Sequence, residues 1–210
     1  PNLVEAYNAL GAVQHELYFN HPGAEELYLR AIELKPNYAS AHQWYAEMLS
    51  DVGRYEEATR EYKTALRLDP TSLIINGSMA GHYFYHGRYS EAIEQANRNL
   101  ELDKTFVMPI YTKLMSYIQV GDWTKAIREF KNLFIQMGAT EEQLADFEKV
   151  YRENGPEGVD RWLIDEGWEM SDQKYNIPYW KAESFIRLGE IDSAFVYLNK
   201  AYEYRSMYVL

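Results

Sequence analysis

Apolar residues recur along the chain at three- and four-residue spacing, with polar residues between them. Over residues 40–51 the apolar set is Ala41, Tyr45, Met48 and Leu49; over 56–68 it is Ala58, Tyr62, Ala65 and Leu66. That spacing keeps one face of a helix apolar, whereas a half-buried strand would alternate. Glycines at 53, 87, 121, 155 and 189 punctuate the pattern, each 34 residues after the last. Aromatics follow the first three two residues later, as Tyr55, Tyr89 and Trp123, and five residues after each glycine stands Ala58, Ala92, Ala126, Asp160 or Ala194. A fixed step of this size means repeated supersecondary units. Each unit is expected to be a helical hairpin: a glycine in the left-handed conformation ends the first helix. Pro36 and Pro70 sit just beyond second helices, where a missing N–H does least harm. A small residue such as Ala58 lets the two helices approach closely.

These residues resemble the tetratricopeptide repeat (TPR), whose pattern runs W-x2-L-G-x2-Y, then A-x3-F, then P. The second repeat matches it with His42, Tyr45, Ala46, Leu49, Ala58, Tyr62 and Pro70. The third offers Asn76, Met79, Ala80, Tyr83 and Ala92, and the fourth Ile110, Leu114, Tyr117, Ala126 and Phe130. Tyr7, Leu10, Gly11, Ala24, Tyr28, Ala31 and Pro36 carry the first, with one extra residue in its turn near Phe19–Pro22. The sixth gives Ala182, Phe185, Gly189, Ala194 and Leu198. In the fifth, Leu144, Phe147, Tyr151 and Gly155 hold the frame, but Asp160 replaces the small residue. Val159, Trp162 and Leu163 suggest a second helix shifted by one residue. The resemblance implies an all-α, right-handed superhelix: one domain of six hairpins, about 1–38, 39–72, 73–106, 107–140, 141–174 and 175–208, the fifth degenerate.

Residues 41–46 (AHQWYA), 188–195 (LGEIDSAF) and 200–203 (KAYE) are similar to TPR segments that follow bacterial winged-helix regulators, adenylate cyclases or kinases in one polypeptide. The implied role is a sensory or interaction segment of a bacterial signalling or regulatory protein. In TPR proteins the first helix of each repeat lines a concave wall. Transferred position by position, the resemblance puts Asn8, Gln43, Trp44, Glu47, Ile74, Gly77, Gly81, Phe84, Met108, Tyr111, Met115, Tyr179 and Trp180 on that wall, and Tyr85 is added to it. The basic clamp that some TPR proteins use for C-terminal carboxylates would fall on Asn8, Ala12, Trp44, Ile74 and Ser78, none of which matches in kind. The wall is instead aromatic and methionine-rich in its middle, the composition of buried interface centres. Gly77 and Gly81 each cost about 1 kcal/mol relative to Ala inside a helix. Either they form a notch for a ligand backbone, or they make room for Tyr111 and Met115 of the next repeat. Hydrogen bonds to a partner backbone are expected from Asn8, Gln43 and Thr112.

Composition narrows the picture. The 210 residues are 47% hydrophobic with mean hydropathy −0.49, which describes a core-forming chain without an 18-residue apolar span. There is no cysteine, so disulfides, thiolate nucleophiles and Cys-ligated zinc are excluded. The net charge of −11 argues against nucleic acid, since phosphate demands a basic surface. Residues 139–174 carry 11 acidic and 4 basic side chains, hence −7 of that total. This is a solvated face with acids at helix starts, or else a docking patch for a basic segment. His82 and His86 have metal spacing but no third ligand, and are expected at an inter-repeat contact or the surface. Asp165, Glu166, Glu169 and Asp172 lack the ladder and glycine of a calcium loop. No nucleophile motif or phosphate loop is present.

The chain is therefore expected to be non-catalytic, with no cofactor and no metal, binding a peptide or helix of a protein partner. Ligand sensing for an attached domain is one alternative. The other is a homodimer through Tyr202, Tyr204, Tyr208 and Leu210. A cytoplasmic setting is expected, with the periplasm left open and no direct membrane insertion. Pro1 in place of Met points to a processed or excised segment. Of the 19 tyrosines, Tyr85, Tyr111 and Tyr179 are expected at the groove and the rest in the core.

Overall fold

A computed structural model describes residues 3–167 and 177–205. Every regular element among them is helical. The chain forms two compact units, residues 1–122 and 123–210.

In the first unit, α1 (Leu3–Ala12) runs into a π-helical turn (Val13–Leu17) and pairs with α2 (His21–Leu34). Next come α3 (Ala39–Asp51) with α4 (Tyr55–Leu68), α5 (Leu73–Tyr85) with α6 (Tyr89–Leu102), and α7 (Val107–Gln119). Each second helix also packs on the first helix of the following hairpin, and first helices neighbour one another in the order α1, α3, α5, α7. This is an α-solenoid, in which each hairpin buries its apolar face only against its neighbours. Ala24, Tyr28, Tyr45, Met48, Leu49 and Ala58 form one core cluster; Ala46, Tyr62, Met79, Tyr83 and Ala92 form the next. The alanines five residues after the glycines are at most 2% exposed, as close helix approach requires.

The five step-34 glycines all have positive φ, from 63° at Gly155 to 81° at Gly53. One step earlier the same place is held by Phe19, which adopts φ 51° with its ring 70% exposed. An L-residue there costs about 1–2 kcal/mol. The extra residue of the first repeat is absorbed as the π-helical turn before it, a one-residue insertion in helical form.

The second unit contains α8 (Trp123–Gln136), α9 (Glu141–Trp162), a π-helical turn (Leu163–Gly167), α10 (Ile177–Arg187) and α11 (Ile191–Glu203). Thr140 and Gln143 close a reciprocal cap at the start of α9, with Glu141 and Glu142 in its favourable first turn. Gly155 (φ 63°, ψ −159°) breaks α9 into the two arms of a degenerate hairpin. Phe130, Phe134, Phe147 and Trp162 pack ring against ring at 5.1–5.9 Å. Val159 and Leu163 are fully buried on the same arm.

Asp160 is 3% exposed and accepts two hydrogen bonds from Arg187 of α10, from Nη2 at 2.6 Å and Nε at 2.9 Å. Arg187 also donates to Ser184. The carboxylate thus occupies the small-residue place of the repeat with a partner from the next hairpin.

The expectation that all tyrosines outside the groove are core fails at four of the described residues. Tyr18, Tyr55, Tyr202 and Tyr204 are 44–68% exposed. Tyr55 lies on the His86 ring at 3.6 Å between centroids, while Tyr18, Tyr202 and Tyr204 lie on the first and last hairpins. Tyr208 and Leu210 of the expected dimer seam, and Glu169 and Asp172 of the acidic run, fall outside the described residues.

Candidate functional site

Of the residues assigned to the wall from the sequence, all but Tyr179 and Trp180 lie on α1, α3, α5 and α7 of the first unit, and cross-helix contacts fix the register of α3 against α5. Ser78 Oγ on α5 donates to Glu47 Oε1 on α3 at 2.8 Å, and Gln43 Nε2 donates to the same oxygen at 3.1 Å. Burial pushes the Glu47 carboxyl above the usual range, against the lowering effect of both hydrogen bonds. Gln43 is buried and its amide is engaged within the protein. Thr112 is also buried, with its hydroxyl turned back to Met108 O at 3.1 Å. Asn8 differs: it is 5% exposed and its Oδ1 accepts no hydrogen bond from the described residues.

The two glycines separate. A Cβ built on Gly77 would stand 2.5 Å from Met108 Sδ and 3.3 Å from Asn99 Nδ2. Close packing from the next hairpin therefore explains Gly77, with Met108 as the neighbour rather than Tyr111 and Met115. A Cβ on Gly81 would meet nothing nearer than Tyr85 Cε2 at 4.0 Å. Packing gives no reason for a glycine there, and the space beside it on α5 is open.

Exposed apolar side chains lie on α5 and α7. Ile74 is 51% exposed, Tyr85 78% and Met108 43%. Tyr111 is half-buried and Met115 buried. Trp44 packs on the edge of the first core cluster, and Phe84 on the edge of the second with Tyr85 and Tyr89 against its ring. Tyr179 (half-buried) and Trp180 (buried) belong to α10 of the second unit. The other assigned residues all belong to the first unit, where Asn8, Gln43, Gly77 and Met115 are buried.

His82 and His86 do not form a metal centre: among the described residues no group of three or more potential ligands assembles. They meet Ser50 of α3, whose Oγ lies 2.9 Å from His82 Nδ1 and 2.9 Å from His86 Nε2. Thr59 Oγ1 is 2.9 Å from His82 Nε2 and donates its own proton to Tyr55 O. Thr59 must then accept from His82 Nε2–H, so His82 Nδ1 accepts from Ser50 and Ser50 accepts from His86. One neutral tautomer of each ring satisfies the chain, and a proton on His82 breaks it. Burial, with help from His86 and Arg88, holds His82 down to about 4, and burial also lowers His86. His42 is the opposite case: Nδ1 faces Glu61 at 2.6 Å and Nε2 faces Pro36 O at 3.0 Å, two acceptors that raise its pKa.

The signs follow from proton linkage. His42 contributes fully below about pH 6.5, and its contribution fades as pH rises through its raised folded value. The His82–His86 pair contributes fully above about 6.5, and is lost as pH falls toward 4. Between pH 7 and pH 5 His82 alone should remove about 2 kcal/mol of stability. Urea unfolding at both pH values should show a loss between them about 2 kcal/mol smaller in His82→Gln than in the wild-type chain. Equal losses would refute the network.

Sequence reasoning missed a feature on the other side of the first unit. A cavity of about 450 Å³ lies between α4, α5 and α6, floored by Leu66, Met79 and Tyr83 and rimmed by Lys63, Arg67 and Arg98 among others. Its residues come from three elements, so no local spacing marks it.

Hairpins stacked through shared alanine and aromatic positions define a helical-repeat protein. Residues 27–60 match the tetratricopeptide-repeat family. Over most of the chain the fold is that of TPR structures. It resembles the pilF protein of Pseudomonas aeruginosa (TM-score 0.64, 18% identity, covering 94% of this chain and 90% of that one). It also resembles PilW, a type IV pilus biogenesis factor (TM-score 0.63, 15% identity, 95% and 92% covered). A third likeness is to a thermophilic TPR protein of Thermus thermophilus (TM-score 0.60, 16% identity, 87% and 99% covered). At these identities the likeness concerns the fold alone. No protein of curated function matches the chain in sequence. No described helix is long and apolar enough to cross a membrane.

Proposed function

We propose that the chain is a non-catalytic protein-interaction module, its hairpins acting as one TPR domain that grips a peptide or helix of a partner. The first helices of the first unit carry the contact. The observation behind this reading is the open space at Gly81, a helix-interior glycine with no packing cause, beside the exposed Tyr85 on its own helix. A ligand chain seated there would bury Ile74, Tyr85 and Met108. The likeness to pilus and other bacterial TPR proteins, with the regulator-like segments at 41–46 and 188–195, favours a bacterial signalling or assembly setting.

Random peptides displayed on phage and selected on the wild-type chain supply the probe. Gly81→Leu fills the open space without touching core, and should lower the affinity of the selected peptides at least about tenfold, or about 1.4 kcal/mol. Gly81→Ala should raise fold stability by about 1 kcal/mol. Undiminished peptide affinity in Gly81→Leu would sink the reading. A ligand-sensing role has one observation of its own, the cavity between α4 and α6, whose cations Lys63 and Arg67 stand one helical turn apart above an apolar floor. Peptides sensitive to Lys63→Glu but not to Gly81→Leu would favour that second face.

A further inference from the structure

On the ligand-sensing reading of the cavity between α4, α5 and α6, we propose that it takes a small amphipathic carboxylate: an apolar body with one negative charge. Gly81 does not line this cavity, so the site is independent of the peptide contact.

The cavity lies within the first unit, between helices of two successive hairpins. Its volume of about 450 Å³ suits a small ligand. The base is apolar and formed in advance. Met79 and Tyr83 are 3% and 7% exposed and share one core cluster, against which Leu66 packs. Beside them Gln95 Nε2 of α6 donates to Asn76 Oδ1 of α5 at 2.6 Å, and Asn76 donates in turn to the carbonyls of Pro70 and Ser72. An apolar group entering here meets walls that are already fixed.

The rim decides the charge of the ligand. Glu91 and Glu94 are each bound by an arginine near them in sequence: Glu91 by Arg88, through Nε at 3.0 Å and Nη2 at 2.8 Å, and Glu94 by Arg98. Lys63 and Arg67 of α4 have no such counter-ion. Arg67 Nη2 donates to the Thr64 hydroxyl at 2.9 Å, and neither cation pairs with a carboxylate of the described residues. Nor does the repeat call for cations at these two places. Thirty-four residues earlier they hold Leu29 and Glu33, and thirty-four residues later Asn97 and Glu101. Two uncompensated cations one helical turn apart, in a chain of net charge −11, therefore mark this one cavity.

The complement is an anion of limited charge. Three cations and two carboxylates line the cavity, leaving one net positive charge. A single carboxylate cancels it, whereas a doubly charged phosphate ester would be repelled by Glu91 and Glu94. The planar guanidinium of Arg67 suits both oxygens of a carboxylate, and Lys63 adds a point charge beside it. The body of the ligand then covers Leu66, Met79 and Tyr83.

Octanoate is the probe, with octanol and octyl phosphate as head-group controls, each titrated into the full chain labelled at backbone amides and methionine methyls. Octanoate should bind with a Kd of about 1 mM or below, moving the Met79 methyl together with the Lys63 and Arg67 amides. Octanol and octyl phosphate should each bind at least about fivefold more weakly. Lys63→Gln with Arg67→Gln, both at exposed positions, should weaken octanoate about fivefold and leave octanol unchanged; circular dichroism checks the fold. Octanoate that does not bind, or that leaves the Met79 methyl unmoved, overturns the proposal. So does octanol or octyl phosphate binding as tightly as octanoate. Shifts confined to the cavity support the site while contradicting a sensing role, and shifts that extend to α3 and α7 support both.

Discussion

Asp160→Ala should destabilise the second unit by about 3 kcal/mol, although it restores the small residue that four of the five glycine steps carry. Asp160 is 3% exposed and bonded twice to Arg187, whose side chain is itself only 18% exposed. Burial raises the Asp160 carboxyl, and the neighbouring guanidinium only partly offsets this. The folded pKa therefore lies above the unfolded one, and the ionised carboxylate contributes no net stability near neutrality. The loss on mutation comes from the other partner: alanine leaves a buried guanidinium facing a void, and orphaned buried charges are costly. Replacing both partners together, Asp160→Leu with Arg187→Met, should recover stability to within about 1 kcal/mol of wild type. Urea unfolding of the two variants checks both statements. A single variant as stable as wild type would refute the ion-pair account.

Gly11→Ala should cost about 2 kcal/mol, even though alanine is the better helix former by up to about 1 kcal/mol. The added methyl would lie 2.7 Å from Cε1 and 2.9 Å from Cδ1 of Tyr28. That ring is fully buried among Ala24, Tyr45 and Met48 and has nowhere to retreat. Trimming the ring with Tyr28→Leu in the same chain should make the alanine tolerable, so the double variant should be more stable than the sum of the two single losses. Additive losses would mean that the ring is not the obstacle. Gly11 and Gly81 are both helical glycines, yet alanine is expected to act with opposite sign at the two, because only one has a wall of atoms beside it.

What could be read in the sequence was periodic, and what could not was pairwise. The 34-residue step placed the turn glycines, and their positive φ bears it out from Gly53 to Gly189. The extra residue of the first repeat was visible as a count, and the structure shows its form, a π-helical turn ahead of Phe19. The anomaly at Asp160 was equally visible, but its partner stands 27 residues away on another hairpin. The role of Ser50 between two histidines depends on the register of α3 against α5, which no local spacing encodes. Gly77 and Gly81 are alike in sequence, and only the position of Met108 tells them apart. The tyrosine surplus followed the same division. Repeat positions filled the core with Tyr28, Tyr45, Tyr62, Tyr83 and Tyr117, while Tyr18, Tyr202 and Tyr204 lie exposed on the first and last hairpins.

The central claim is that first helices, not second helices, meet the partner. Amide chemical shifts of the labelled chain, followed during titration with a selected peptide, test it residue by residue. The account predicts perturbations along α3, α5 and α7, at Gln43, Ser78, Gly81, Tyr85 and Met108. Perturbations confined to the cavity on the opposite side, at Lys63, Arg67, Glu94 and Arg98, would contradict it.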